Sequence, residues 1–366
     1  MNQAKSESDF KLNALLEVTK AINNNFPVSH LLALYKDILQ NRLGVGRLVL
    51  FSFTTKWQCI LKYGLPDYAP EPEFEDNLLD IEEIETITYN RGELSKSFEI
   101  VIPVYHKKSP LAFVLLGDVN PDKIEISNAI KHLPYVQTLT NIIVVAIENK
   151  KLFKENIEKA QINKELELAQ SMQQMLFPHD LPNTDSFRVS ALYMPHQQVG
   201  GDYYDFIQLN NHEYIFCMAD VSGKGLSAAL LMSNLQATLQ SLSNYTHNLK
   251  DIIIELNKRV IKNTNYEKFV SFFLGKINTK SQQLTYINAG HNAPLIYYDK
   301  KFISLSKGTT LLGIQENLRD IEVDIFNYAL DLTLFCYTDG LTDTIDENKQ
   351  SLSVEEIKST IEKNNK

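Results

Sequence analysis

Apolar residues recur at helical spacing in three parts of the first half of the chain. The first two parts, Phe10–Ile22 and Leu31–Leu43, repeat apolar side chains every three or four residues and predict two helices. Gly44 follows the second, and glycine is typical of a helix end because it accepts the left-handed conformation. From Gln137 to Pro178 the spacing continues without an internal proline or glycine, so we expect one long helix that the proline ends.

The long helix predicts a contact between two copies of the chain. Many of its apolar positions follow one another in steps of three, four or seven, as in the seam of a two-helix coiled coil, and lysine and glutamate fill much of the outside. Because an isolated helix would leave that stripe in water, we expect a homodimer that forms through this helix. A solvated spacer is the alternative interpretation.

Runs of β-branched and aromatic residues predict strands on both sides of the long helix. Before it, the predicted strands are Arg47–Phe53, Trp57–Lys62, Phe98–Tyr105 and Leu111–Asp118, with an acidic loop at Pro66, Pro70 and Pro72 and a helix from Glu125 onward. After it, they are Arg188–Tyr193, Tyr203–Gln208, Tyr214–Ala219, Phe269–Asn278, Gln283–Asn288, Leu295–Tyr298 and Thr333–Tyr337. Helices are predicted at Leu226–Leu242, Leu249–Asn263 and Val354–Lys363. Strands with helices packed outside them make an α+β fold.

These elements divide the chain into three parts. With 366 residues it is too long for one ordinary core. We expect a sheet-and-helix domain over residues 1–136, a helical, coiled-coil-like linker over 137–178 and a second domain over 179–366. We also expect the linker helix to pass the state of the first domain to the two helices at 226–263.

Charge and cysteine content exclude several classes of function. The net charge of −9 disfavours binding to nucleic acid or to a membrane surface, which both need a basic footprint. Cys59, Cys217 and Cys336 lack the spacing of a zinc site and are typical of a reducing compartment. The N-terminus lacks the apolar core of a signal peptide, and the longest apolar run, Ile142–Ile147, is too short to span a bilayer. The interpretation is a soluble, cytoplasmic protein.

Three aspartates stand at the ends of predicted strands. Asp202 follows Gly200-Gly201, Asp220 ends an apolar strand, and Asp339 precedes Gly340 after another strand. A carboxylate at the end of an apolar strand is unfavourable unless something pairs with it, and a hard cation would do so. One Asp-Gly pair is usually only a turn. Three such carboxylates from separate segments predict a site for two divalent ions, which can clamp a phosphoryl group.

Three neighbouring features have more than one interpretation. Asp205 points to the opposite face of its strand from Asp202, so it is either a surface residue or a support for the site. Ser222-Gly-Lys-Gly lacks the spacing of a phosphate-binding P-loop. His291, in Asn288-Ala-Gly-His-Asn-Ala-Pro-Leu, is either a proton carrier or a loop histidine that hydrogen-bonds the backbone.

Six motifs now stand in one order: L-A-Q-S-M-Q-Q-M-L-F-P, V-G-G-D-Y-Y-D, A-D-V-S-G-K-G, N-A-G-H-N-A-P, L-L-G-I and Y-T-D-G-L-T-D. Over about residues 165–345 the chain resembles the bacterial SpoIIE/RsbU-type branch of the metal-dependent PPM phosphatase superfamily. That resemblance implies a β-sandwich of two antiparallel sheets flanked by helices, with two manganese or magnesium ions. It implies hydrolysis of phosphoserine or phosphothreonine on a protein, often a STAS-type anti-anti-sigma factor.

The resemblance also implies roles for single residues. Asp220 resembles the aspartate that bridges both metals, and the carbonyl of Val221 resembles a ligand of one of them. Asp339 resembles a ligand of the second metal, and Asp202 resembles the acid that holds metal or its bound water. These three aspartates are the implied catalytic residues, and the implied hydrolysis proceeds without a phosphoenzyme. The element order over about residues 10–150 resembles a GAF domain, either as a ligand sensor or as a dimerisation module.

One departure from the family pattern leaves a second function open. The family carries a late D-D-[IM]-T motif, whereas no aspartate follows Asp346 here. We therefore expect the last strand and one metal ligand to be absent from this sequence, through truncation or an impaired second site. A non-catalytic dimeric switch protein that binds a phosphoprotein partner is the alternative function. A metal-dependent nuclease is disfavoured because the sequence offers no basic groove.

Overall fold

The computed structural model describes residues 2–65, 74, 76–86, 98–117, 128–184, 187–195, 198–345 and 351–364. The chain forms two compact units, Met1–Ala160 and Gln161–Lys366. Among the described helices, none has both the length and the apolar character that crossing a bilayer requires.

The first unit is one antiparallel sheet with helices on one face. Its helices are α1 (Asn2–Asn23), α2 (Val28–Asp37) with a π-helical turn at Ile38–Arg42, α3 (Asn128–Lys131) and the first part of α4 (Leu133–Gln174). Its strands are β1 (Arg47–Phe53), β2 (Trp57–Tyr63), β3 (Glu85–Thr86), β4 (Ile100–His106) and β5 (Ser109–Gly117), in the order β2-β1-β5-β4-β3. The expected order of two helices, a set of strands and a closing helix is confirmed.

Both faces of this sheet are apolar, because successive side chains of a strand point to opposite sides. On one face, Leu48 and Leu50 of β1 pack with residues of the helices such as Ile143. On the other face, Phe51 packs in a second cluster with Phe113 of β5. This arrangement explains why β1 and β5 read as continuous apolar runs rather than as an alternating pattern.

The helix ends follow backbone chemistry rather than the apolar pattern alone. Gly44 has a φ of +71°, as expected for a glycine that ends a helical segment. The long helix begins at Leu133 and not at Gln137, since Pro134 is tolerated in a first helical turn. It ends at Gln174, four residues before Pro178. The predicted loop at Pro66, Pro70 and Pro72 and the helix start at Glu125 lie outside the described residues.

The second unit contains two sheets and two long helices. Its strands are β6 (Tyr203–Gln208), β7 (Glu213–Val221), β8 (Val270–Asn278), β9 (Gln283–Ala289), β10 (Leu295–Tyr298), β11 (Lys301–Ser304), β12 (Gly308–Thr309), β13 (Asp324–Asn327) and β14 (Leu332–Phe335). Its helices are α5 (Leu226–Ser243), α6 (Leu249–Thr264), α7 (Asp339–Thr342) and α8 (Val354–Asn364). One sheet runs β12-β9-β8-β7-β6, with β13 also paired to β9, and the other runs β11-β10-β14.

Two apolar layers hold this unit together. Helices α5 and α6 cover one face of the larger sheet, where Leu235 and Ile253 pack in one cluster with Phe272. The opposite face packs on the smaller sheet, in a cluster that includes Phe273 of β8 and Ile296 of β10. The predicted α+β fold, a β-sandwich flanked by helices, is confirmed.

Some of the predicted strands differ in the structure. The prediction of a strand at Arg188–Tyr193 is wrong: Arg188 forms only an isolated bridge to Asn183, and Leu192 is 84% exposed, so no sheet covers this segment. Strands β11, β12 and β13 are two to four residues long. Runs that short carry no readable period, and the sequence did not predict them.

Candidate metal centre

Two of the predicted metal ligands meet where strands β6 and β7 come together. Tyr203 pairs with Ala219 across these antiparallel strands, which sets Asp202, just before β6, opposite Asp220 near the end of β7. The two carboxyl groups lie close enough for each to shift the pKa of the other. Thr338 Oγ1 donates a hydrogen bond of 2.8 Å to Asp202 Oδ2 and so links the segment after β14 to this pair.

Asp339 interacts electrostatically with the Asp202–Asp220 pair. It follows Thr338 and is the first residue of α7. Its carboxylate raises the pKa of both Asp202 and Asp220. Within the described part of the chain, no three His, Cys, Asp or Glu side chains close into a ready metal cage. The site is therefore a close pair of carboxyl groups with a third carboxylate nearby.

The electrostatics of this pair are unfavourable without a cation. Burial, followed by the charges of Asp202 and Asp339, raises the pKa of Asp220 to about 7. Burial is also the largest cause of the raised pKa of Asp202, which the Thr338 hydrogen bond partly offsets. Carboxylates this close cannot all be ionised unless something neutralises them. An all-oxygen donor set of this kind fits a hard divalent cation such as Mg²⁺ or Mn²⁺.

The backbone around the pair leaves room for the predicted carbonyl ligand. A Cβ at Gly201 would lie 2.9 Å from the carbonyl oxygen of Val221 and 3.2 Å from Ala228 Cβ. The absence of a side chain at Gly201 thus lets this carbonyl lie against the residue that precedes Asp202. The role of Val221 as a metal ligand stays a prediction.

The loop after Asp220 is fixed by residues that the sequence did not single out. Ser222 exchanges two hydrogen bonds with the backbone of Phe269, and Lys268 Nζ donates to the Ser222 carbonyl at 3.0 Å. Gly223 has a φ of +91°, and Gly225 has a φ of +73° just before α5. The two glycines are needed for their backbone conformation, which explains the spacing of S-G-K-G without any P-loop function.

A glutamine at the end of the long helix also holds the metal loop. Gln173 Nε2 donates to the Gly200 carbonyl at 2.8 Å, and the Gly200 N–H donates to Gln173 Oε1 at 3.1 Å. Gln173 is buried, while its neighbour Gln174 is exposed. The sequence contained Gln173 in its motif L-A-Q-S-M-Q-Q, but nothing in the apolar spacing separated it from the other glutamines of that helix.

Asp205 lies apart from the metal ligands and supports helix α5. It is buried and accepts hydrogen bonds from Tyr203 Oη at 2.5 Å and from Gln240 Nε2 at 2.6 Å. Gln240 belongs to α5, so the carboxylate joins β6 to this helix. Of the two interpretations that the sequence left open, the structure favours a support.

His291 lies in the loop after β9, and its ring contacts Ser271, the strand partner of Asp220. Its Nδ1 is 2.8 Å from Ser271 Oγ, and burial lowers the pKa of the ring to about 4. The backbone of Tyr337 offsets part of this effect, although no hydrogen bond of normal geometry reaches Nε2 within the described residues. The ring is therefore neutral at pH 7, which suits a fixed hydrogen-bonding residue better than a proton carrier.

Comparisons with known proteins find relatives for the C-terminal part of the chain. Residues 210–366 match the model of the family described as stage II sporulation protein E (SpoIIE). The phosphoserine phosphatase RsbU of Bacillus subtilis (strain 168) is 31% identical over 193 residues, 51% of this chain and 56% of RsbU. The chain thus spans little more than half the length of this relative.

Two solved structures resemble parts of the chain at lower similarity. The SiaA PP2C domain of Pseudomonas aeruginosa covers 56% of this chain and 83% of that domain, with 16% identity and a TM-score of 0.47. A GAF domain from Pseudomonas syringae pv. tomato covers 43% of this chain and 97% of that domain, with 10% identity and a TM-score of 0.32. The C-terminal part of this chain is thus similar to the SpoIIE family model and to the phosphoserine phosphatase RsbU.

Proposed function

We propose that this chain is a metal-dependent protein serine/threonine phosphatase that its N-terminal unit regulates. The observation that carries the proposal is the crowded carboxyl pair, Asp202 with Asp220, within the charge field of Asp339. The match of residues 210–366 to the SpoIIE family model and the likeness to a phosphoserine phosphatase support the same reaction. Two Mn²⁺ or Mg²⁺ ions are the proposed cofactors.

The three aspartates and the Val221 carbonyl would hold these ions. When bound, the ions would neutralise the phosphoryl oxygens and make a water molecule nucleophilic at neutral pH. The protein's own part is to bring its carboxylates to one place and keep them there. Thr338 orients Asp202 through its hydrogen bond, and Gln173 fixes the backbone beside it. Phosphoryl transfer of this kind depends mainly on positioning and charge, which these contacts provide.

The proposed substrate is a phosphorylated signalling protein, and a STAS-type anti-anti-sigma factor is the specific candidate. A flexible phosphorylated segment can reach the aspartates because Asp339 is exposed in the structure. Neither nucleic acid nor a membrane surface is expected as a partner, since the net charge of −9 would repel both.

The proposed assembly is a homodimer through helix α4. This helix exposes large apolar side chains along its second half, among them Phe153 at 67% and Met172 at 70%. Covering such a stripe with its copy would remove it from water. In this proposal residues 1–136 are a GAF-like sensor or dimerisation domain, 137–178 the linker, and 179–366 the phosphatase domain. The linker passes a signal towards α5 and α6.

The direct test is phosphate release from a phosphoserine protein by the full chain, with Mn²⁺ and with a chelator. We expect turnover only with metal, and we expect Asp220→Asn to abolish it. Asp331→Asn changes an exposed aspartate of the same unit and should leave the rate unchanged. Undiminished turnover by Asp220→Asn would refute the site assignment. Metal-independent binding of the phosphoprotein without turnover would favour the non-catalytic switch instead.

Regulation needs a separate measurement. If the N-terminal unit controls the site, then a chain that lacks residues 1–136 should differ from the full chain in its rate at saturating Mn²⁺. An identical rate and identical response to conditions that change the activity of the full chain would remove the regulatory part of the proposal and leave the phosphatase part standing.

A further inference from the structure

A buried histidine joins the two sheets at the end that carries the aspartates. His291 is only 6% exposed, and its Nδ1 lies 2.8 Å from Ser271 Oγ. In the register of β7 and β8, Ser271 is the direct partner of Asp220. Directly paired residues on neighbouring strands point to the same face of a sheet. The imidazole therefore contacts the neighbour of the aspartate that is central to the proposed metal site.

The loop that carries His291 also lies beside the second sheet. Leu295 of β10 pairs with Phe335 of β14, so the segment just before β10, which contains His291, runs beside the segment just after β14, which contains Tyr337 and then Asp339. Tyr337 follows strand β14, which belongs to the smaller sheet, whereas Ser271 belongs to the larger one. His291 thus lies between the segment that carries Asp220 and the segment that carries Asp339.

The loop holds the ring rigidly in that place. Asn288 Oδ1 accepts a hydrogen bond from the His291 N–H at 2.8 Å, and Asn288 Nδ2 donates to the carbonyls of His291 at 3.1 Å and Leu305 at 2.9 Å. Gly290 has a φ of +70°, and a Cβ there would lie 2.7 Å from a methyl carbon of Leu311. Backbone conformation and close packing therefore fix the histidine before any ligand binds.

We propose that His291 is a positioning residue that sets the separation of Asp220 and Asp339 in the metal centre. Thr338 ties the segment of Asp339 to Asp202, but no hydrogen bond among the described residues ties that segment to Asp220. The buried ring of His291, which is bonded to Ser271 beside Asp220 and lies in the loop next to the segment of Asp339, supplies that spacing. The inference rests on the proposed function, because a required spacing has meaning only if a metal binds there.

The test is calorimetric titration of the full chain with Mn²⁺, together with thermal unfolding of each variant. Removing a group that orients metal ligands typically weakens metal binding by about 10-fold to 100-fold. We expect His291→Ala and Ser271→Ala to raise the Mn²⁺ dissociation constant by about 10-fold. His291→Asn, whose amide can still bond the Ser271 hydroxyl, should recover part of the affinity.

Tyr286→Phe is the matched control. Tyr286 is buried in the same unit and donates a 2.9 Å hydrogen bond to Asp324, which is not part of the proposed centre. This variant should lower the melting temperature while it leaves the Mn²⁺ affinity unchanged. In turnover assays, the His291 and Ser271 variants should need more Mn²⁺ for half-maximal rate, at an unchanged KM for the phosphoprotein.

Each outcome decides a different point. If the unaltered chain binds no Mn²⁺, the proposed function fails and the inference fails with it. If the unaltered chain binds Mn²⁺ and Ser271→Ala and His291→Asn bind it equally well, only the positioning role is overturned. If His291→Ala does not fold, Ser271→Ala still decides, because it removes one hydroxyl and keeps the packing.

Discussion

The two units bury polar groups in opposite ways. In the N-terminal unit, the deepest polar contact joins Tyr35 Oη and Thr140 Oγ1 at 2.5 Å, and both residues are fully buried. This pair is neutral, and burial raises the pKa of Tyr35 so that it stays protonated. In the C-terminal unit, Asp202 and Asp220 face each other beside a third carboxylate. The N-terminal pair is neutral and each hydroxyl has a partner, whereas the C-terminal site keeps like charges together.

This difference separates a scaffold from a reactive site. A fold loses stability when it holds carboxylates close together, and proteins keep such arrangements mainly where function requires them. In the C-terminal unit, the carboxylates that repel one another are those of Asp202, Asp220 and Asp339, at one end of the sandwich. A divalent cation would neutralise their charge. The N-terminal unit shows nothing comparable among its described residues, so substitutions there should act on stability and those at the aspartates on chemistry.

Among changes that leave the three aspartates in place, the largest effect should follow from a methyl group added beside Asp202. In Gly201→Ala, the new Cβ would lie 2.9 Å from the Val221 carbonyl oxygen, closer than real Cβ contacts allow, so the backbone must move. Displacing a catalytic group by about 1 Å can cost about 100-fold in rate. We therefore expect Gly201→Ala to lower Mn²⁺-dependent phosphate release by about 100-fold, measured as kcat/KM.

Gly340, next to Asp339, provides a control that adds the same methyl group without a steric clash. In Gly340→Ala, the nearest atoms to the new Cβ are Thr338 Oγ1 at 3.5 Å and Asp202 Oδ2 at 3.7 Å, which are ordinary contacts. We expect this variant to keep most of its activity. Equal losses in the two variants would show that the site is sensitive to any change near the aspartates, and not to the position of the Val221 carbonyl.

The sequence predicted the three aspartates of the site, but it did not predict the residues that hold the site in place or the shortest strands. Asp202, Asp220 and Asp339 stood out because polar residues at the ends of apolar strands break a simple pattern. Gln173 and Lys268 did not, because their roles consist of hydrogen bonds to backbone atoms of distant segments. The short strands β11–β13 form only because neighbouring strands pair with them, which no local propensity encodes.

The next effect tests whether the long helix supports the reactive site. Gln173→Ala removes both hydrogen bonds to the Gly200 backbone. The N–H and the carbonyl of Gly200 then lose these partners. The loss should be about 2 kcal/mol in the free energy of unfolding. Because Gly200 lies two residues before Asp202, Mn²⁺ affinity should fall as well. Gln174→Ala, at the exposed neighbouring position, should change neither quantity in denaturant titration and calorimetry.

The charge conflict itself predicts an unusual pH dependence. The pKa of Asp220 is raised to about 7 in the folded chain, above its ordinary value of 3.8, so the folded state binds the proton more tightly than the unfolded state. Without metal, the contribution of this group to stability is therefore most favourable at low pH and falls as the pH rises from about 4 to about 7.

Asp220→Asn should remove this pH dependence and stabilise the metal-free chain at pH 8. The gain should be on the order of 1 kcal/mol, since solvent screens a half-exposed carboxyl group, and it should vanish near pH 4. Chemical denaturation in the presence of a chelator at both pH values measures it. A variant that is less stable than the unaltered chain at pH 8 would show that the carboxylate stabilises the fold and that no conflict exists.

The smallest effect belongs to the neutral pair of the N-terminal unit. Tyr35→Phe removes the hydroxyl that bonds Thr140 and leaves the buried threonine oxygen without this partner, which should cost about 1 kcal/mol of unfolding free energy. Adding Thr140→Val replaces the second polar group with an apolar one of similar shape, so the double variant should recover most of that loss. Neither change should alter Mn²⁺ affinity. A shift in Mn²⁺ affinity with Tyr35→Phe would contradict the division between scaffold and reactive site, and would show that packing in the first unit reaches the metal centre.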